Sequence, residues 1–423
     1  MAEFRAPKGM LDILPPDSAR WERLVAAFAS LAGRSGFGLA ITPVIEHIEV
    51  FLRLGDSTDV VRKEMYDFKD KSDRHIAVRP ELTASLMRAF VEHRPTTPWK
   101  AWTIGPNFRY ERPQAGRYRQ HFQVDAEIVG TQDPDADLEV ITLLDGFHRA
   151  LGLQQRTIYL NSLGDASCRP AYRAALVAYF ESRLDELSEE SRTTLGLNPL
   201  RVLDSKREPD QVVIEGAPRM VDYLSDDAGV HFERVTSGLT ALGLSYELNN
   251  RLVRGFDYYT DTIFEIASHA LPGSQNAIGG GGRYNGLVEQ LGGPAGTGGV
   301  GFGAGVERIL LACDAEASFA PPEAPLDIFI VDTSDSRQAL LLSQELREDG
   351  FRVDRAFDGR SMKSQMRVAD RSGATHAIII GSVEVEAREV LVLPLRGRGN
   401  QQTRVPLDRL SDFLNNNLRK QPS

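Results

Sequence analysis

The chain has 423 residues, of which 42% are hydrophobic and 26% charged, a composition typical of folded globular proteins. Its 49 basic and 59 acidic residues give a formal net charge of −10, which argues against a protein that coats nucleic acid through bulk positive charge. The two cysteines, Cys168 and Cys313, lie far apart in the sequence, which excludes a disulfide framework and a thiolate zinc site.

The N-terminal residues include the acidic Glu3 and show no apolar run of the kind that marks a signal peptide. No stretch reaches the roughly 18 consecutive apolar residues that a membrane helix needs. We therefore expect a soluble, cytoplasmic protein with no membrane partner.

The elements predicted in residues 1–325 indicate an α+β domain. Apolar residues near helical spacing predict a helix at about 21–31, and similar patterns predict helices at 84–92 and 138–151. Strand-like segments occur at 41–45, 101–110, 122–129 and 261–266. Because regular crossover helices do not separate these strands, the pattern favours an antiparallel sheet. A charged, helix-rich segment at about 170–234 is interpreted as an insertion within this domain.

A Pro-rich stretch at 320–325 is typical of a stiff linker and divides the chain into domains 1–325 and 326–423. Residues 327–423 carry 15 basic and 14 acidic residues, a net charge of +1, against −11 for the rest of the chain. Beyond the linker, short apolar runs alternate with helical patterns. The runs are 328–331, 351–353 and 377–380, and the helices are 336–348 and one beginning at about 361. This alternation predicts an α/β domain with a largely parallel sheet.

The segment 108–127 is rich in arginine and contains the turn residues Pro113 and Gly116. Its pattern predicts a strand–loop–strand hairpin that brings Arg109 near Gln123 and Glu127. Guanidinium groups suit phosphate, since several N–H donors meet two oxygens at once. The alternative is a charged hairpin with surface ion pairs.

A second cluster surrounds Gly255, where the backbone can approach a ligand closely. Arg254, Asp257, Tyr258 and Tyr259 flank this glycine, and the tyrosines could supply an apolar wall with polar tips. The alternative is a turn that leads into a strand with a satisfied aromatic pair.

Two glycine-rich segments follow. Residues 278–288 place four glycines before Arg283 and Tyr284, which could let a flat ligand lie against bare backbone; the alternative is a flexible loop. Residues 296–301 match GxGxxG, but we reject a dinucleotide site because no strand is predicted before them. Residues 303–311 predict a strand end that continues into a helix, with Arg308 in its first turns. Such an arginine could reach a polyphosphate, or could be an ordinary surface charge.

Glu81 and Thr83 lie where the helix at 84–92 begins. A helix start alone would account for both residues, with Thr83 as the N-cap. The eight histidines show no HExxH or other metal-binding spacing, and no nucleophile–base pair stands out. The residue types favour positioning and charge stabilisation of a nucleotide, which indicates an ATP-using enzyme.

These segments, in this order, resemble the histidyl-tRNA synthetase family of class II aminoacyl-tRNA synthetases over essentially the whole chain. Residues 108–111 are similar to the second motif of the class and residues 303–308 to the third. Pro43 is similar to the proline of the first motif, which lies at the dimer interface in the family. Residues 252–259 and 281–284 resemble the two histidine-specific signatures.

The resemblance implies a catalytic domain around an antiparallel sheet with a helical insertion, plus a C-terminal α/β anticodon-binding domain. It implies a homodimeric ligase that attaches L-histidine to histidine tRNA through a histidyl-adenylate, with release of AMP and pyrophosphate. ATP with Mg²⁺ would be the cosubstrate, without a permanent cofactor.

The resemblance also implies the site residues by position, while the metal ligands stay open. The catalytic set would be Arg109, Arg254 and Gln123. The substrate-binding set would be Glu81, Thr83, Arg109, Gln123, Glu127, Arg254, Tyr258, Tyr259 and Tyr284. The ATP-binding set would be Arg109, Glu111, Arg117 and Arg308.

Within these sets, the resemblance implies individual roles. Glu81, Thr83 and Gln123 would hold the α-amino group of histidine, and Glu127 and Tyr259 would recognise the imidazole, whose ring edge offers N–H groups.

On the ATP side, Arg109 would bind the α-phosphate, and Arg308 the distal phosphates or the adenine face. Arg254 would lie near the α-phosphate, where relatives in the class often place a metal ion.

The chain departs from the family pattern at three places. Ala115 occupies a loop position that is often lysine in relatives, and Leu82 stands where the family commonly has glycine beside Glu81. His121 and Phe122 reverse the usual order before Gln123. The runner-up interpretation is a non-catalytic regulatory paralogue from histidine biosynthesis, and a third is a nucleic-acid-binding module without catalysis. Such paralogues generally lack an anticodon-binding domain and lose parts of the ATP site.

Overall fold

The computed structural model describes residues 4–53, 60–273, 275–321, 326–334, 337–357, 359–396 and 401–418, with only the backbone of Arg62. The chain forms two compact units. One comprises Met1–Ile13 and Trp21–Ala320, and the other comprises Leu14–Arg20 and Pro321–Ser423. Most of the predicted linker at 320–325 lies outside the described residues. Among the helices that are described, none is long and apolar enough to cross a membrane.

The strands of the first unit form two sheets. They are β1 (Gly38–Leu39), β2 (Ile45–His47), β3 (Tyr66–Lys69), β4 (His75–Val78), β5 (Trp99–Phe108), β6 (Gln120–Val129), β7 (Arg156–Ser162), β8 (Tyr246–Leu248), β9 (Thr260–Ser268), β10 (Ala277–Arg283) and β11 (Gly299–Gly305). The large sheet has the order β1-β5-β6-β11-β10-β9-β7-β8, and a small one has the order β2-β4-β3. Inner neighbours of the large sheet pair antiparallel, and only the outermost pairs β1–β5 and β7–β8 are parallel. The predicted antiparallel catalytic sheet is confirmed.

The strand predicted at 41–45 is wrong, because β1 ends at Leu39 and β2 begins at Ile45. Arg79, which is 3% exposed, explains the interruption. Its guanidinium donates to the carbonyl oxygens of Thr42 at 3.1 Å and Pro43 at 3.4 Å, so a side chain takes up carbonyls that could otherwise pair with a strand.

The glycine-rich segment at 278–288 begins as a strand rather than a loop, because β10 lies inside the large sheet between β9 and β11. The glycines are needed for this close packing. A Cβ at Gly281 would lie 1.9 Å from the carbonyl oxygen of Gly301 on β11. Gly299 and Gly301 from the GxGxxG match also belong to β11, so the end of that match is part of a strand of the large sheet.

Residues 17–20 at the start of the first helix belong to the second unit. The helices of the first unit pack in three hydrophobic clusters. They are α1 (Asp17–Arg34), α2 (Ile48–Leu52), α3 (Thr83–His93), α4 (Pro134–Ala150), α5 (Arg169–Glu181), α6 (Glu189–Leu197), α7 (Glu208–Glu215), α8 (Asp226–Ala241), α9 (Leu287–Gln290) and α10 (Val306–Ala315). The main core joins α1, α4, α8 and α10 to the sheet. Phe28 lies at its centre, 4.9 Å from the ring of Phe147 and 6.1 Å from that of Phe302.

The helical segment between β7 and β9 has a hydrophobic core of its own. Tyr172, Leu176, Phe180, Val202 and Ile214 are buried members of it. Helix α8, in contrast, places its apolar residues in the main core. The independently packed part of the insertion therefore ends before α8, earlier than the predicted limit at about 234.

The second unit contains the strands β12 (Ile328–Asp332), β13 (Val353–Arg355), β14 (His376–Ile380), β15 (Glu389–Pro394) and β16 (Thr403–Pro406) and the helices α11 (Arg337–Glu348), α12 (Met362–Arg371), α13 (Ser382–Ala387) and α14 (Leu410–Leu418). Its sheet has the order β13-β12-β14-β15-β16. The expectation of a largely parallel sheet is only half met, since β14–β15 and β15–β16 are antiparallel. Residues 381–388, which join β14 to β15, are too few for a parallel crossover of a dozen or more residues.

Candidate active site

A cavity of about 860 Å³ lies in the first unit beside strands β6, β9, β10 and β11. Most of the residues predicted for the site line it. They are Glu81, Thr83, Arg109, Glu111, Arg117, Gln123, Arg254, Tyr258, Tyr259 and Arg308. Glu127 and Tyr284 lie behind this lining, each 1% exposed. The fold thus brings together segments that are more than 200 residues apart in sequence.

The carboxylate of Glu81 caps helix α3. Its two oxygens accept hydrogen bonds from the backbone N–H groups of Thr83 at 2.8 Å and Ala84 at 2.7 Å. Thr83 is the first helical residue and not the N-cap that the sequence suggested, because the preceding glutamate already satisfies the free N–H groups. Burial raises the pKa of Glu81 despite these hydrogen bonds.

Glu127 receives a hydrogen bond on each oxygen. The Thr83 hydroxyl donates to Oε1 at 2.7 Å, and the Tyr284 hydroxyl donates to Oε2 at 2.6 Å. Burial raises the pKa of Glu127 to about 8, against the lowering effect of these two donors. The side chain is therefore fixed in orientation and poised to change its charge near neutral pH.

An aromatic wall forms from the histidine-specific segments predicted at 252–259 and 281–284. Tyr258 stacks on Phe256 with ring centroids 5.4 Å apart and meets Tyr284 edge-to-face at 5.8 Å. Tyr259 lies 4.6 Å from Tyr258 between ring centroids. Since all three tyrosines are buried, this wall offers a rigid, largely apolar surface with hydroxyl groups at its edge.

Arg109, Arg254 and Arg308 reach the cavity from three separate segments. Arg109 donates to the carbonyl oxygen of Pro80 at 2.9 Å, and Arg254 donates to Glu265 at 3.2 Å. Arg308 donates to the carbonyl oxygens of Ala277 at 2.9 Å and Gly116 at 3.2 Å, as well as to Gln275. The Nε atoms of Arg254 and Arg308 are buried without a hydrogen-bond partner in the described part of the chain. Together these guanidinium groups concentrate positive charge suited to a polyphosphate.

The turn of the β5–β6 hairpin contains an ion-pair network. Arg117 donates to the carboxylate of Glu111 and lies 3.8 Å from that of Glu64. Burial tends to raise the pKa of Glu111, but Arg117 outweighs it and the pKa is lowered. Burial and the neighbouring Glu111 raise the pKa of Glu64 to about 7. The network holds Arg117 at the cavity.

The predicted hairpin is present, but its register separates two residues that the sequence analysis placed together. The Arg109 N–H donates to the carbonyl oxygen of Arg119, whereas Glu127 pairs with Ala101. Residues 119–127 span roughly 27 Å along an antiparallel strand, so Arg109 and Glu127 lie at opposite ends of the hairpin. Gln123 lies between them and accepts a hydrogen bond from Asn107.

The cavity residues that the sequence analysis did not assign to the site include His121, Asp125 and Glu307. Burial and the charges of Arg109 and Arg308 lower the pKa of His121 to about 3, so it is neutral at pH 7. Asp125 could have been found, because it alternates with Gln123 and Glu127 on the predicted strand at 122–129 and therefore shares their face. Glu307 accepts from the Phe122 N–H, a contact between distant segments that no local pattern signals.

The cavity thus has two chemically different halves. Glu81, Asp125 and Glu127 make one half acidic, and Arg109, Arg254 and Arg308 bring positive charge to the other. Within the described residues, no group of three or more His, Cys, Asp or Glu side chains is arranged to hold a metal ion. Such a site can bind a small cationic molecule beside a polyphosphate and stabilise negative charge that develops between them.

Comparison with known proteins gives matches to two families. Residues 9–309 match the Histidyl-tRNA synthetase family and residues 327–417 match the Anticodon binding domain. The chain is 44% identical to histidine–tRNA ligase of Geobacillus kaustophilus, with 99% of each chain covered. It is 46% identical to that of Rhodococcus erythropolis, with 97% of each covered. The crystal structure of apo histidyl-tRNA synthetase from S. aureus superposes with a TM-score of 0.81 at 34% identity, covering 97% of this chain and 99% of that one.

Proposed function

Because the chain belongs to the histidyl-tRNA synthetase family, we propose that it attaches L-histidine to histidine tRNA at the expense of ATP. The reaction passes through histidyl-adenylate and releases AMP and pyrophosphate. The observation that carries this proposal is that buried carboxylates and the guanidinium groups of Arg109, Arg254 and Arg308 meet in one cavity.

The acidic half of the cavity binds histidine in this proposal. Glu81, Thr83 and Gln123 hold the α-amino group, and Glu127 and Tyr259 recognise the imidazole. Tyr258 and Tyr284 complete the substrate site. The hydrogen bonds from Thr83 and Tyr284 support this assignment, because they fix Glu127 behind the aromatic wall and leave no freedom for it to rotate.

The positive half binds ATP. Arg109 contacts the α-phosphate, Arg254 lies near it, and Arg308 contacts the distal phosphates or the adenine face. Glu111 and Arg117 belong to the same ATP site. The position of Arg109, Arg254 and Arg308 in the cavity lining supports these roles, since it brings three guanidinium groups to one ligand site. Mg²⁺ accompanies ATP as part of the cosubstrate, and no residue is assigned as its ligand.

The chemistry then follows from charge placement. The carboxylate of histidine attacks the α-phosphorus, the bond to pyrophosphate breaks, and negative charge develops on the α-phosphate oxygens. Arg109 and Arg254 stabilise that charge, and Gln123 keeps histidine in position for the attack. The terminal ribose hydroxyl of tRNA afterwards attacks the carbonyl carbon of the adenylate, and AMP leaves.

We propose that residues 1–325 form the catalytic domain, with its helical insertion, and residues 326–423 the anticodon-binding domain.

We also propose a homodimer. In support of the dimer, apolar side chains around Pro43 are exposed: Leu39 is 53% exposed, Ile41 80% and Ile45 48%. A cytoplasmic location is proposed because the tRNA product serves translation there.

The Arg254→Ala substitution tests the ATP-site assignment. We expect histidine-dependent ATP–pyrophosphate exchange to fall by at least about 100-fold, because a preorganised donor to the developing charge is removed. Histidine binding, measured by calorimetry, should change little. Arg234→Ala, which removes an exposed arginine on α8, is the matched control and should keep full exchange. An equal loss of histidine binding in Arg254→Ala would contradict the assigned role.

The same assay separates the alternatives. A regulatory paralogue would bind histidine without catalysing exchange, and a nucleic-acid-binding module would bind tRNA alone. The match of residues 327–417 to an anticodon-binding domain favours the ligase, and so does the presence of Arg109, Arg254 and Arg308 in the cavity lining. Purified wild-type protein that binds tRNA but shows no histidine-dependent exchange would overturn the proposal.

A further inference from the structure

Asp125 is a buried carboxylate in the cavity wall to which the proposed function assigns no role. It lies on β6, is 3% exposed and lines the cavity. Its Oδ1 atom is buried and accepts no hydrogen bond from any described residue. A buried carboxylate oxygen without a hydrogen-bond donor is costly, and such groups concentrate at functional sites.

Strand β11 opposite Asp125 carries no side chain at the paired position. Asp125 pairs with Gly303 on β11, and a Cβ at residue 303 would lie only 3.1 Å from Oδ1. A glycine opposite Asp125 therefore leaves room beside the carboxylate that a side chain would occupy. Gln123 and Glu127 point to the same face of β6, because alternate residues of a strand share a face.

The other acidic groups nearby already have partners. Both oxygens of Glu81 accept backbone N–H groups at the start of α3, and both oxygens of Glu127 accept hydroxyl groups. Against the effect of burial, the charges of two nearby arginines act to lower the pKa of Asp125, but no described side chain donates to its Oδ1. Arg79 donates to Thr42, Pro43 and Pro106, and Arg109 donates to Pro80.

We propose that Asp125 is a further substrate-binding residue, which accepts a hydrogen bond from the α-ammonium group of the bound amino acid. This inference rests on the proposed function, because it takes histidine as the ligand. An ammonium group suits the place, since it brings a positive charge and three N–H donors to a cluster of three carboxylates. Burial, Glu127 and Glu81 together raise the pKa of Asp125 well above its usual range, and a cation at this point would relieve that repulsion.

The Asp125→Asn variant, measured with three ligands by isothermal titration calorimetry, tests the proposal. L-histidine and histidinol both carry the ammonium group, whereas imidazolepropanoate keeps the ring and the carboxylate but lacks it. We expect affinity for the first two to fall by about 10- to 100-fold, the range for a hydrogen bond to a charged group. Affinity for imidazolepropanoate should stay the same or rise, because a negative charge near its carboxylate is removed.

Two results would overturn the inference: unchanged affinity for all three ligands, or an equal loss for all three, which would place Asp125 at the ring. Asp222→Asn is the matched control, because it removes the same charge from an exposed position outside the cavity lining, where Asp222 pairs with Arg219. It should leave all three affinities unchanged. Asp125→Ala serves as a second variant should the asparagine variant not fold. Histidine-dependent exchange by the wild-type protein tests the proposed function separately.

Discussion

At the scale of single residues, the site depends on where side chains are absent as much as on where they are present. A Cβ at Gly301 would lie 1.6 Å from Oε2 of Glu127 and 2.5 Å from the carbonyl oxygen of Ala126. Glu127 itself is held by Thr83 and Tyr284 and has no alternative position. The glycine on β11 is therefore part of the architecture that places the carboxylate.

We expect Gly301→Ala to lower the free energy of unfolding by at least about 3 kcal/mol, because overpacking against a fixed side chain and backbone leaves no room to relax. Chemical denaturation monitored by circular dichroism measures this change.

Gly305→Ala on the same strand is the control for Gly301→Ala. No atom lies within 4 Å of its Cβ position, and its φ of −73° suits any residue. A stability loss of the same size in both variants would show that the strand tolerates no alanine at all, and the explanation through Glu127 would be wrong.

At the scale of elements, a buried ion pair joins strand β10 to the start of helix α4. Arg283 is 1% exposed and donates to the carboxylate of Asp137, whose side chain is fully buried. It also donates to the carbonyl oxygens of Thr131 and Asp133 at 3.0 Å. Since Tyr284 follows directly in the chain, the pair also fixes the tyrosine that donates to Glu127.

Replacement of Arg283 by methionine leaves the Asp137 carboxylate buried, with Nε2 of His231 at 3.5 Å as its remaining ion-pair partner. We expect a loss of about 3–5 kcal/mol in the free energy of unfolding, the usual cost of breaking a buried ion pair from one side. Urea denaturation measures it.

The exposed ion pair between Arg234 on α8 and Asp135 on α4 provides the comparison. Arg234→Met should leave the melting temperature unchanged, because solvent screens an exposed pair. If the Arg283→Met variant were as stable as the wild-type protein, the buried ion pair would not stabilise the attachment of β10 to α4.

At the scale of the whole molecule, the proposed dimer should depend on the exposed apolar side chains around Pro43. We expect Ile41→Asp to convert the dimer to a monomer, because a charge would be buried without a partner in an apolar interface. Size-exclusion chromatography with light scattering measures the mass. Val212→Asp changes an equally apolar residue in the insertion, 74% exposed, and should leave the mass at that of the dimer. A monomeric wild-type protein would contradict the proposal outright.

The charge of the whole chain is misleading, since −10 combines a strongly acidic part with residues 327–423, whose net charge is +1. The total excludes a protein that coats RNA through bulk charge. It does not exclude one that binds a single tRNA through a near-neutral domain, which is what the match to an anticodon-binding domain indicates.

The sequence by itself determined the long, periodic elements and the chemistry of the site. The β5–β6 hairpin and helices α3 and α4 were predicted to within a few residues, because each is specified by local hydrophobic spacing. The short motifs also identified ten of the residues that line the cavity, since their unusual combination of arginine, tyrosine and glycine is itself local information.

Only the tertiary structure decided how these pieces combine. The glycine-rich β10 has no hydrophobic pattern, and its place between β9 and β11 depends on backbone clearances that appear only when the sheet assembles. The partners of Glu127 and the surroundings of Asp125 Oδ1 likewise depend on residues far apart in sequence. Local spacing specifies periodic elements, whereas burial and hydrogen-bond partners are properties of the folded chain.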